Sequence, residues 1–313
     1  MDWKLWEERL VLPLSEEFKI WIELATQENA NTPGEAFSAF GIELPWLNPD
    51  FSSKTVDYLR PVEAPPEVFP FAWNLEHTFC LGFLSDTGLD SMKKCPIVAV
   101  SSTQDPPCWV LASDFVSFLG LFRWGDLAQL QEISKKKTPL VSEGGGEGGG
   151  GGESTAPDLS LSTPFQASKP QKKCFQIWEK TFSLNEIPDP LLEIQKAQTQ
   201  RKAKTVLNSG DGLGVIQIPG TRVENQPISV SEATKRLSRK KMREEMLFQM
   251  SLELDTMIAS GALTSAIGSV RNLLKVAGNY KCGNMLKQVT SSVYNKCSLG
   301  VLSEAILCTP YPD

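Results

Sequence analysis

Apolar residues first recur at helical spacing at Phe18, Trp21, Ile22 and Ala25. Ser15 can cap the first amides and Glu16 and Glu17 sit in the first turn, where the helix end favours negative charge, so the pattern predicts a helix from Leu14 to Thr26. The turn residues of Asn31-Thr32-Pro33-Gly34 and Leu44-Pro45-Trp46-Leu47-Asn48-Pro49 then interrupt the chain. After Pro66 the pattern changes to short apolar runs at Val68–Trp73, Thr78–Leu84, Pro96–Val100 and Cys108–Leu111, separated by Gly, Asp and Pro. Such runs predict the strands of a small antiparallel or mixed sheet. Helical spacing returns at Phe115, Phe118, Leu119 and Phe122, so helices flank the sheet and the fold class is α+β.

Periodicity is lost near Lys135, and the glycines between Gly144 and Gly152 sit in a Ser-, Thr- and Pro-rich surround. Glycine is costly to order and has no side chain to bury, so composition divides the chain into an α+β binding domain at 1–130, a linker at 131–170 and a mainly helical region at 171–313. In that last region Cys174–Trp178 reads as a strand or docking segment, Leu191–Leu207 as a charged helix and Val215–Ile218 as a short strand. The clearest helix runs from Ser231, taken as its cap, to about Ser260, with Leu247, Met250 and Leu254 on one stripe. Two more, through Leu263–Leu274 and Leu286–Cys297, complete a hairpin or small bundle.

Charge sharpens the division. Residues 1–126 carry 19 acids and 8 bases, a net −11, whereas residues 171–313 carry 13 acids and 19 bases, a net +6. The halves can attract one another, or meet partners of opposite sign. No apolar run is long enough to cross a membrane and the start lacks the pattern of a signal peptide, so a cytoplasmic or nuclear setting is expected. Seven cysteines without a CxxC pair fit reduced thiols, with neither a metal nor a cofactor implied.

Candidate chemistry is sparse. His77 is the single histidine, with no nucleophile motif around it. Ser209-Gly210-Asp211-Gly212-Leu213-Gly214 lacks the Lys and Ser or Thr of a phosphate loop and reads as a turn. Acids near the strand ends (Glu76, Asp86, Asp90, Asp105) together with Trp73 and Trp109 suggest an acidic aromatic face for a basic protein. Lys235, Arg236, Arg239, Lys240, Lys241 and Arg243 form the densest basic patch, suited to an acidic protein, nucleic acid or lipid.

The pieces Leu12–Phe18, Val68–Ala72, His77–Leu84, Pro96–Val100 and Leu111–Leu119, in that order, resemble the SUKH superfamily, which includes bacterial immunity proteins and a fungal cell-wall regulator. The resemblance covers residues 1–125 and implies an α+β binding scaffold without catalysis. The resulting expectation is a non-enzymatic adaptor or regulator, with an immunity-type toxin inhibitor as its narrower form. Two alternatives stay open: binding of nucleic acid or an acidic partner through the basic helix, and a hydrolase with its site between the halves.

Overall fold

The computed structural model describes residues 3, 7, 13–26, 37–44, 61, 64–74, 76, 78–86, 92–101, 103–135, 166–223, 228–277, 280, 283–300 and 302–303. Helix α1, Glu16–Thr26, begins where Ser15 Oγ accepts the Phe18 amide, as the sequence predicts. Strands β1 (Ile42–Glu43), β2 (Val68–Asn74), β3 (Cys80–Leu84), β4 (Ile97–Val100) and β5 (Cys108–Ala112) form an antiparallel meander in that order. Pro70 sits inside β2 where the register shifts, so the residue that cannot donate to the ladder coincides with a bulge. Gly82 faces it across the pair. A side chain there would lie 2.6 Å from Val68 Cγ1 and 2.9 Å from the Phe69 carbonyl.

Almost every residue of β2 to β5 is buried, on both faces of the sheet. On one face Phe71, Phe83 and Leu81 meet Phe18 and Trp21 of α1 and Phe115 of helix α2 (Phe115–Leu121), which Asp114 caps. On the other face Val68, Cys80, Leu84, Val98, Val100 and Val110 form a second apolar cluster. Helix α3, Leu127–Lys135, follows α2.

The chain beyond residue 165 closes both faces. Helix α4 (Lys169–Phe182) carries Cys174, Trp178 and Phe182 in one buried row. Its start is fixed by a capping box between Ser168 and Gln171. The strand or docking segment expected at Cys174–Trp178 is therefore a helix, because the apolar residues repeat every four positions. Trp178 enters the first core, its ring 5.2 Å from Phe37 and Phe40 and 6.1 Å from Trp21. Helix α5 (Pro190–Lys204), capped by Asp189, lies over the other face and contributes Ala197 to the second cluster. The helix expected to Leu207 ends at Lys204, where Thr205–Leu207 (β6) pairs with Val215–Ile216 (β7).

The long helix expected from Ser231 is two helices, α6 (Val230–Leu237) and α7 (Arg243–Ala259), separated by a turn of 3-10 helix at Lys240–Met242. The cap is Ser229, two positions earlier than expected. Two physical causes make the break. Arg239, Lys240 and Lys241 crowd like charges, and Arg243 Nε turns back to donate to the Leu237 carbonyl at 2.7 Å. A straight helix would also place the buried pair Ala233 and Leu237 roughly 90° away from the buried row Leu247, Met250 and Leu254, and the break brings both rows inward. Helices α8 (Leu263–Ala277) and α9 (Gly283–Lys296) complete the bundle, and their buried residues join the same continuous core as the α1 face of the sheet. The whole is a small antiparallel sheet flanked by helices and followed by a mainly helical region.

Candidate functional site

Strand β5 is an edge of the meander, and an edge must be covered or paired. Here the second part of the chain covers it. Gln198 of α5 donates to the Val110 carbonyl at 3.2 Å, and the Cys108 amide donates to the Asp211 carbonyl at 2.9 Å. The Ser209–Gly214 turn is thus a buckle between the sheet and the helices. Gly212 has φ 95°, and a Cβ there would lie 2.6 Å from Pro106 Cβ, so the close approach to the 104–108 segment requires glycine.

Two buried arginines hold the buckle. Arg201 of α5 donates to the Leu213 carbonyl at 2.9 Å and the Gly214 carbonyl at 3.0 Å, and pairs with Asp86. Arg271 of α8 donates to both Asp211 carboxylate oxygens at 2.6 Å and to the same Gly214 carbonyl at 2.9 Å. Asp211 Oδ1 also accepts from Ser209 Oγ at 2.8 Å and from the Leu213 amide at 2.9 Å. Burial works against the Arg271 charge, but Asp211 and Glu67 hold the guanidinium above its ordinary value.

Glu67, just before β2, is buried and accepts from the Tyr294 hydroxyl of α9 at 2.9 Å. Its Oε2 has no hydrogen-bond partner among the described residues. Burial raises its carboxyl above the ordinary range, against the opposing pull of Arg271. Burial and the Glu67 carboxylate likewise push the Tyr294 phenol well above its ordinary value. These groups face one another in the interior, where they bind the parts of the chain together.

Beside the buckle lies a groove of about 480 Å³. Gln104, Asp105 and Trp109 border it on the sheet side, and Gln198, Lys202 and Asn208 on the other. Asp105 is 85% exposed in its side chain and reaches Lys275 of α8 at 2.9 Å. Trp109 is half-buried, its ring 6.3 Å from Phe79, and its Nε1 has no hydrogen-bond partner among the described residues.

The residues expected to form one acidic aromatic face are dispersed. Trp73 shares a register row with Cys80, Val100 and Cys108, whereas Trp109 shares one with Ala99 and Leu81, so the two indoles leave opposite faces of the sheet. Asp86 faces Arg201 in the interior, Glu76 is exposed in the turn after β2, and Asp90 and His77 lie outside the described residues. Asp105 and Trp109 are the pair brought to one groove. Sequence reasoning missed Gln198 and Lys202, which sit on a helix whose apolar face is thin, and missed Arg201, since hydropathy gives no sign of a buried arginine.

The basic patch also divides. Arg236 pairs with Glu232 and, at 2.6 Å, with Glu253, while Arg243 lies over the Tyr280 ring at 5.1 Å. Lys235, Arg239, Lys240 and Lys241 are exposed and form no salt bridge among the described residues.

Cys80, Cys95, Cys108, Cys174 and Cys297 are buried and form no disulfide among the described residues, and Cys282 and Cys308 lie outside the described residues. Burial pushes the Cys95 and Cys174 thiols up to about 12. Among the described residues no group of three or more His, Cys, Asp or Glu side chains is placed to hold a metal, and no helix is long and apolar enough to cross a membrane. The chain matches no model of a known protein family, and no curated protein matches it.

Proposed function

We propose that this chain is a non-enzymatic, cytoplasmic or nuclear adaptor or regulator that docks a basic protein segment in the groove between β5, α5 and the 208–214 buckle. The observation that carries the reading is the placement of Asp105, largely exposed, and the half-buried Trp109 on the lining of one groove at the edge of the sheet. A half-buried aromatic ring supplies contact area, and a neighbouring carboxylate steers a cation. The segment that docks exchanges its own Lys or Arg for Lys275 at Asp105. Gln104, Gln198 and Asn208 offer amides to an incoming backbone.

The order of helix, meander and helix supports reading residues 1–125 as a SUKH-type scaffold, with toxin neutralisation as the narrower form of the role. The test is affinity purification of the tagged full chain from its native cells, beside Trp109→Ala and Asp105→Lys variants. A repeatable basic partner held by the wild type and lost from both variants is the expected result. Recovery of monomer alone, or a partner indifferent to both substitutions, rejects the proposal.

A further inference from the structure

Helix α7 carries an apolar surface that the bundle does not use. Leu247, Met250 and Leu254 face inward, yet Phe248 and Leu252 on the opposite side are 62% and 51% exposed. They stand four residues apart, one turn of the helix, and so form a short ridge. Met242, at the break before α7, is 38% exposed. Ile20, Leu192 and Val206 are exposed singly on other elements, whereas Phe248 and Leu252 on α7 and Met242 at the break before it gather in one stretch of the chain.

The break between α6 and α7 concentrates cations just before that ridge along the chain. Lys240 and Lys241 lie in the break itself, and Lys235 and Arg239 border a groove of about 660 Å³ between the two helices. Met246, Gln249 and Glu253 line its other wall. Arg236 and Arg243 are neutralised or stacked internally, so the four exposed bases are the ones left to meet an outside charge.

We propose that this surface is a second docking site, separate from the β5 groove, for an acidic amphipathic helix of another protein. Its apolar residues at four-residue spacing would seat on Phe248 and Leu252, and its carboxylates would reach Lys235, Arg239, Lys240 and Lys241. Charge decides the class of occupant. Glu244 and Glu245 are exposed within one turn of Phe248. A flat anionic bilayer or a nucleic-acid backbone approaching the ridge meets those carboxylates together with the bases, whereas a helix can present acids to one side and apolar or basic residues to the other.

The experiment is selection of a random peptide display library on the full chain, followed by anisotropy titration of the enriched peptides. The expected winners are acidic, with apolar residues three or four apart, and they bind more weakly as salt rises. The double variant Phe248→Ser with Leu252→Ser, and the double variant Lys240→Glu with Lys241→Glu, should each weaken binding at least about tenfold. Both pairs are exposed, so circular dichroism should show unchanged folding. Trp109→Ala should leave the affinity unchanged, and that separates this site from the β5 groove. No enrichment, enrichment of neutral or basic peptides, or binding indifferent to the α7 variants overturns the proposal. So does co-sedimentation with phosphatidylserine vesicles when no peptide is selected, which would make the patch a lipid surface.

Discussion

Truncating Trp178 to alanine tests whether the two parts of the chain fold as one. Trp178 is fully buried on α4, and its aromatic neighbours Trp21, Phe37, Phe40 and Phe122 all belong to the first part. Removing a buried tryptophan costs about 3 to 5 kcal/mol, against a total stability of about 5 to 15 kcal/mol. With a urea slope of about 3 kcal/mol/M, the midpoint should fall by about 1 to 1.7 M. Its Nε1 has no hydrogen-bond partner among the described residues, so Trp178→Phe keeps a stacking ring while removing an unsatisfied donor. That variant should lose less than about 2 kcal/mol. The choice of residue also simplifies the readout. Seven of the eight tryptophans precede residue 125, so the fluorescence of Trp178→Ala reports the first part alone, while far-UV dichroism is dominated by helices of the second. Both signals should shift together. A fluorescence transition left at the wild-type midpoint would refute a shared core.

Arg201→Met strands Asp86 in the interior beside two carbonyls and should cost about 3 to 5 kcal/mol in urea unfolding, whereas the double variant with Asp86→Leu should recover part of that loss. Glu67 supplies a pH dependence. Its folded carboxyl is raised by burial, so its contribution is full below the unfolded value of about 4.3 and is lost as pH rises through the higher folded value. Stability measured against pH should therefore decline over that window relative to Glu67→Gln, and parallel profiles for the two proteins would contradict the assignment.

The meander was legible because its strands are apolar without interruption and its turns are rich in Gly, Asp and Pro. The same uninterrupted apolarity carried a further message, since strands apolar on both faces require cover on both. The covering helix was hard to recognise. Helix α5 buries Ile194, Ala197 and Arg201, a row in which one residue is small and another is charged, so its amphipathic signal is faint. In α4 the buried row opens with Gln171, whose amide donates to the Ala39 carbonyl at 2.7 Å, and a polar residue at that position hides the period. The basic patch was visible as composition, but its division into paired and exposed members depends also on Glu253, 17 residues from Arg236, and on Tyr280, whose contacts hydropathy along the chain does not reveal. Likewise Asp105 and Trp109 were visible as residue types, and the helix that makes a groove of them was not.

Cover for the second face of the sheet arrives late in the order of synthesis. Gln198, which closes the β5 edge, follows Val110 by 88 residues. At roughly 5 to 20 residues per second, a ribosome leaves that edge and the adjoining apolar face open for roughly 4 to 18 s after the strand itself is made. The nascent meander is a sheet without its lid for that interval, and its protection from aggregation falls to whatever receives the chain at the ribosome.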